Sequence, residues 1–166
     1  MDLRALQAPL KDGYRVDPAS ALITLHARGS QTEAPVSCSV EVGRALHEAQ
    51  AHAGVGGAGT APCSGDLLLG ALAACAQITC QMVAEAMGVP VERVEVAVEG
   101  DLDLRGTLGV DRAARVGFDQ IRLTFELDAP EATEQQLEQL LEKTERYCVV
   151  FQTLCSPPEV VVRRET

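Results

Sequence analysis

A chain of 166 residues is the size of one domain, and its 46% apolar content is enough for a sizeable core. With no Trp, two Tyr and three Phe, that core must be aliphatic. A formal net charge of −10, with Arg163-Arg164 the only adjacent basic pair, argues against nucleic acid or an anionic membrane surface as a partner.

Residues Met1–Lys11 are too polar for a signal peptide. The longest apolar run, Leu67–Ala76, falls short of the ~18 residues a membrane span requires. The expectation is one cytoplasmic, soluble domain over residues 1–166. Ala21–Arg28 alternates weakly and reads as a strand. Val36–Val42 alternates strictly, with Val36, Cys38, Val40 and Val42 on one face, and reads as a half-buried strand. With Gly29–Pro35 as the connection, the two suggest a hairpin. Arg44–Thr60 reads as a loop crowded with Gly54, Gly56, Gly57 and Gly59. Residues 54–59 satisfy the G-x-G-x-x-G spacing, but no strand is expected before them and Pro62 intervenes before the next helix. A dinucleotide site needs both neighbours, so the match is set aside.

The best-marked element follows. Ser64 suits an N-cap, Asp66 suits the positive end of the helix dipole, and Gly88 with Pro90 closes the segment, so Gly65–Met87 is predicted as one long helix. Its first half, Leu67–Ala76, is apolar all round and is expected to be buried all round. Gln77, Gln81 and Glu85 make the second half amphipathic. Val91–Leu104 and Ala114–Leu127 read as an antiparallel strand pair joined by a turn over Arg105–Arg112. Thr133 caps a helix through Leu137, Leu140 and Leu141 that continues or restarts at Thr144 and runs to about Leu154. Ser156-Pro157-Pro158 stops it, and Glu159–Arg163 reads as a last strand. Local strand pairs separated by helices indicate an α+β fold.

Six cysteines, at positions 38, 63, 75, 80, 148 and 155, carry the chemistry available. In a cytoplasmic protein they are reduced thiols by default. Cys80 lies five residues after Cys75, about 140° around the helix and roughly 7.5 Å along it, too far for a disulfide. Cys63 is excluded as a partner by the helix length in between. Cys148 and Cys155, seven apart on a helix, sit roughly 10 Å apart and cannot pair with each other. Cys38, Cys148 and Cys155 remain as partners for Cys75, and geometry does not choose among them. There is no C-x-x-C, and His26, His47 and His52 fall at no metal-ligand spacing with a cysteine. No nucleophile elbow surrounds Ser64. No metal or prosthetic group is implied.

The stretch Pro62-Cys-Ser-Gly-Asp-Leu-Leu-Leu-Gly-Ala-Leu-Ala-Ala-Cys75, followed by Ala86-Met-Gly-Val-Pro90, resembles the family of osmotically inducible protein C and the organic hydroperoxide resistance proteins (OsmC/Ohr). Gly56-Gly57, the strand ending Val98-Glu99-Gly100 and Glu145-Arg-Tyr-Cys148 fit the same family. The likeness covers roughly residues 20 to 164. It implies an OsmC-like α+β fold, antiparallel sheets around a long buried central helix, in an intertwined homodimer. It further implies a thiol-dependent peroxidase reducing organic hydroperoxides, with Cys75 as the peroxidatic and Cys148 as the resolving cysteine, regenerated by a dithiol reductant. Many members have Cys-Pro at the second cysteine, where this chain has Cys148-Val149. Peroxidase members carry a Glu at the helix start, where this chain has Gly65 followed by Asp66.

A buried thiol ionises reluctantly, and a cysteine within a helix gains little from that helix's dipole, so Cys75 is expected to need a cation. The resemblance assigns this to an Arg of the N-terminal strands. Arg28 is the nearest match and Arg44 the next. The alternative reading is an OsmC-like protein without peroxidase turnover, binding a small apolar ligand or sensing oxidants.

Overall fold

The computed structural model describes residues 3–31, 37–42 and 45–165. The order is helix α1 (Leu3–Val16), strands β1 (Ala27–Gln31), β2 (Ser37–Val42) and β3 (Ala45–Gln50), helix α2 (Ser64–Met87), strand β4 (Arg93–Asp101), the single turn α3 (Leu104–Thr107), strand β5 (Gln120–Asp128), and helices α4 (Glu134–Tyr147) and α5 (Val149–Cys155). Short 3-10 turns occupy Pro18–Ala21 and Ala53–Val55. The architecture is α+β with antiparallel sheets, as expected. The chain divides into two compact units, Met1–Gly70 with Glu99–Arg122, and Ala71–Val98 with Leu123–Thr166.

In the first unit β1, β2 and β3 form an antiparallel sheet in that order. The predicted hairpin is present, with Arg28 opposite Glu41 and Gln31 opposite Cys38. The strand placed at Ala21–Arg28 is corrected: Pro18 and the Asp17 side chain, which accepts the Ala19 N–H, set a 3-10 turn, and pairing begins only at Ala27. The loop over Arg44–Thr60 is also corrected. Ala45–Gln50 lacks a β-branched residue yet completes the sheet, because β2 offers it a free edge, Val40 against His47 and Glu41 against Leu46. Val36 and Arg44 lie outside the described residues. The glycine string serves backbone geometry: Gly56 and Gly59 adopt left-handed conformations, and a Cβ on Gly57 would strike the Ala51 carbonyl.

The N-cap of α2 is Cys63, one residue before the predicted Ser64. The Cys63 carbonyl accepts the Leu67 N–H at 3.1 Å. The Asp66 carboxylate reaches back to the Cys63 N–H at 2.8 Å, half of a capping box. By length and composition α2 could cross a bilayer, with 24 residues and a mean hydropathy of 1.8 over its most apolar window.

In the second unit the core is aliphatic: Cys80, Val83 and Ala84 of α2, Val89, Val94 of β4 and Leu140 of α4, bordered by Val96, Phe125 and Leu127. The β4–β5 pair was predicted. It is antiparallel, with the Glu92 N–H on the Asp128 carbonyl at the end in this unit and the Asp119 N–H on the Asp101 carbonyl at the end that belongs to the first unit. Thr133 and Gln136 form the full capping box of α4. The expectation that Leu67–Ala76 is buried all round is corrected. Only Leu72 and Ala76 are buried there, while Leu68, Ala71 and Ala74 are exposed, because one face alone of the helix meets a partner within the chain. The last strand is corrected too: Glu159–Arg163 forms no regular element and leaves Val160, Val161 and Val162 exposed.

Candidate functional site

The site lies in the second unit, where α2 carries Cys75 and the junction of α4 and α5 carries Cys148. Cys148 caps both helices: its N–H donates to the Thr144 carbonyl at 2.9 Å and its carbonyl accepts the Gln152 N–H at 2.9 Å. Its backbone is extended (φ −73°, ψ 109°), which breaks the helix and turns the first N–H groups of α5 outward without a side-chain cap. Cys148 is buried, and Cys75 is half-buried facing it.

Burial pushes the Cys75 thiol up, as the sequence predicts. Hydrogen bonds from the Val150 N–H, the Cys148 thiol, the Thr79 hydroxyl and the Val149 N–H outweigh it, so Cys75 titrates below an ordinary thiol. The Thr79 Oγ1 stands 4.0 Å from the Cys75 sulfur, one helical turn away. Cys148 moves the opposite way. Burial raises it, and the neighbouring Cys75, as hydrogen-bond acceptor and as a charge, raises it further against the Phe151 and Val150 N–H groups. Cys75 therefore ionises first, and Cys148 keeps its proton and donates it.

Of the two partners left open for Cys75 that share its unit, Cys148 is the one brought against it, while Cys155 sits exposed at the far end of α5. Cys80 is wholly buried in the core, its thiol pushed up by burial despite a hydrogen bond with Thr144. Arg28 is exposed on β1 and stands opposite Glu41. Asp66 holds its carboxyl below the usual carboxylate range, chiefly through the Cys63 N–H and then the Cys63 thiol. The stabilising N–H groups of Val149 and Val150 were missed from sequence. The one available signal was the Val149 that replaces a proline, since proline has no N–H to give.

A separate cavity of about 560 Å³ in the first unit is lined by apolar side chains, among them Leu68, Leu102, Val116 and Phe118, with His52 and Cys63 at its wall. Among the described residues no three His, Cys, Asp or Glu side chains gather as a metal site.

The OsmC-like protein family matches the sequence over residues 57–163, which includes α2, both β4 and β5, and the α4–α5 junction. The chain belongs to that family. Its fold is shared with an OsmC-like protein from Mycoplasma pneumoniae, at 18% identity and a TM-score of 0.67, covering 81% of this chain and 89% of that one. An organic hydroperoxide resistance protein OsmC from Legionella pneumophila aligns at 20% identity and a TM-score of 0.62, covering 81% and 91%. An organic hydroperoxide resistance protein from Elizabethkingia anophelis aligns at 17% identity and 0.59, covering 82% and 91%. No curated protein matches the chain. At these identities the solved OsmC-like structures speak for the fold, and the chemistry rests on the site.

Proposed function

We propose that this OsmC-like protein is a two-cysteine peroxidase for organic hydroperoxides. The observation that carries the reading is the placement of the Cys75 thiol on α2 against the Cys148 thiol at the α4–α5 junction, and the lowered titration of Cys75 agrees with it. The Cys75 thiolate attacks the distal peroxide oxygen, and the O–O bond breaks. The departing alkoxide takes a proton and leaves as alcohol, with sulfenic acid on Cys75. The Cys148 sulfur then attacks the sulfenic sulfur, water leaves with the Cys148 proton, and a disulfide joins the two. A dithiol reductant returns two electrons and two protons. Arg28 is our candidate for the cation that polarises the peroxide. Asp66, with its carboxylate taken up by Cys63, serves by holding the start of α2.

A second copy of the chain completes the protein in this reading. The supporting feature is apolar surface left open: Ile78 is 57% exposed and Met82 39% on α2, and Val162 is 89% exposed. Light scattering should return twice the chain mass at micromolar concentration; a monomer would remove the homodimer. For the chemistry, one equivalent of an alkyl hydroperoxide should yield a single Cys75–Cys148 disulfide in peptide maps. Cys148→Ser should leave Cys75 trapped as sulfenic acid that over-oxidises. Cys75 still reduced after hydroperoxide treatment would sink the peroxidase. The second reading, an apolar-ligand binder without turnover, draws on the cavity beside Cys63. Gly65 lies on that same wall, at the position where peroxidase members carry a Glu.

A further inference from the structure

Threonine in a helix ordinarily bonds its hydroxyl to the carbonyl one turn back. Thr144 does so with the Leu140 carbonyl at 2.8 Å, and Thr153 with the Val149 carbonyl at 2.8 Å. Thr79 occupies the same kind of position in α2, and the carbonyl one turn back is that of Cys75. Among the hydrogen bonds of the described residues, its hydroxyl makes none to that carbonyl; it points to the Cys75 sulfur at 4.0 Å. Helical side chains lean toward the N-terminus, so a residue four places on reaches back over Cys75. Thr79 is half-buried, and its β-branched side chain has few rotamers to choose from.

We propose that Thr79 is a positioning residue for Cys75: its hydroxyl, turned from the backbone to the sulfur, donates to the thiolate and holds it toward Cys148. While Cys75 is protonated, either the hydroxyl or the thiol can donate, and the contact is weak. When Cys75 ionises, the hydroxyl becomes the only possible donor of the two, and the bond strengthens. The lowered titration of Cys75, to which the Thr79 hydroxyl contributes, agrees with this. The other titratable group facing the sulfur is Cys148. The inference rests on Cys75 being the reactive thiol of the proposed function, but not on peroxide turnover.

The test is the pH profile of iodoacetamide alkylation at Cys75, resolved from the other cysteines by peptide mapping, in the full chain with its fold checked by circular dichroism. Thr79→Val keeps shape and branching and removes the hydroxyl. It should move the profile to higher pH and cut reactivity on the acid side by about threefold to tenfold, the range one hydrogen bond to an ionised group supplies. Thr79→Ser keeps the hydroxyl and should stay within about twofold of wild type. A Thr79→Val profile superimposed on wild type overturns the proposal, and so does a Thr79→Ser shift as large as that of Val. Should Val fail to fold, Thr79→Ala against Thr79→Ser makes the same comparison. A wild type that alkylates at low pH yet never turns over peroxide would end the peroxidase reading and leave the role of Thr79 standing.

Discussion

Val149→Pro offers a direct test of what activates Cys75. Val149 is the first residue of α5, a position where proline is well tolerated because the N–H has no helical partner and proline's fixed φ suits a helix. The preceding residue must be extended, and Cys148 is (φ −73°, ψ 109°). The Gln152 N–H on the Cys148 carbonyl and the Thr153 hydroxyl on the Val149 carbonyl involve no atom that the substitution removes. The Val149 side chain is 71% exposed, so its loss costs little packing. What disappears is one N–H donor to the Cys75 sulfur, the smallest of the four hydrogen bonds that pull its titration down. Losing one hydrogen bond to an ionised group costs about 1 kcal/mol, which is about fivefold in thiolate on the acid side. The sign is fixed: losing a donor to the anion moves the profile to higher pH. Cys75 alkylation against pH measures it, with Val149→Ala as the control that trims the side chain and keeps the N–H. Equal profiles for Pro and wild type would refute the backbone account of activation. A shift shared equally by Ala and Pro would assign the effect to the side chain instead.

Three further outcomes are expected. Asp66→Ala removes the acceptor of the Cys63 N–H and a first-turn carboxylate, and should destabilise the fold by about 0.3–1 kcal/mol in denaturant melts. Because the Asp66 carboxyl titrates below its usual range, its contribution is full above the ordinary carboxylate pKa and fades as pH falls through the lowered one. The two proteins should therefore converge in acid, and a constant gap would show that the carboxylate is not the stabilising form. Leu140→Ala empties a fully buried position and should cost about 2–5 kcal/mol; a loss below that range would mean the core collapses around it. Cys80 should resist alkylation until the protein unfolds, and Cys80→Ala should leave the Cys75 profile in place; native labelling of Cys80 would contradict its burial.

Elements that declare themselves locally were legible in sequence. The start and stop of α2, the Thr133 cap and the alternation of β2 and β4 all arise from residues within a few positions of one another. β3 was not legible, because Ala45–Gln50 has no strand signal of its own and becomes a strand only when β2 pairs with it. Glu159–Arg163 erred the other way: a run of valines is a strand only where an edge receives it. At the site, the thiol pair could be named from the family resemblance. Its activation could not, since the donors are peptide N–H groups exposed by a helix break at Cys148, and the identity of a residue says little about where its backbone points.

Cys75 and Cys80 show how local those causes are. Both sit on α2 and both meet α4 or its end. Cys80 meets α4 within its regular part, where backbone N–H groups are spent on the helix and the donor is the hydroxyl of Thr144. That hydroxyl is also committed to the Leu140 carbonyl, so desolvation wins and the thiol stays neutral. Cys75 meets the chain where α4 has stopped and α5 has just begun, and uncommitted N–H groups face it. Desolvation is the largest single influence on both sulfurs, and the outcome is decided by whether the opposing backbone has donors left. On this argument the break at Cys148 does two things at once. It brings the second thiol to the first, and it frees the N–H groups that hold the first as an anion.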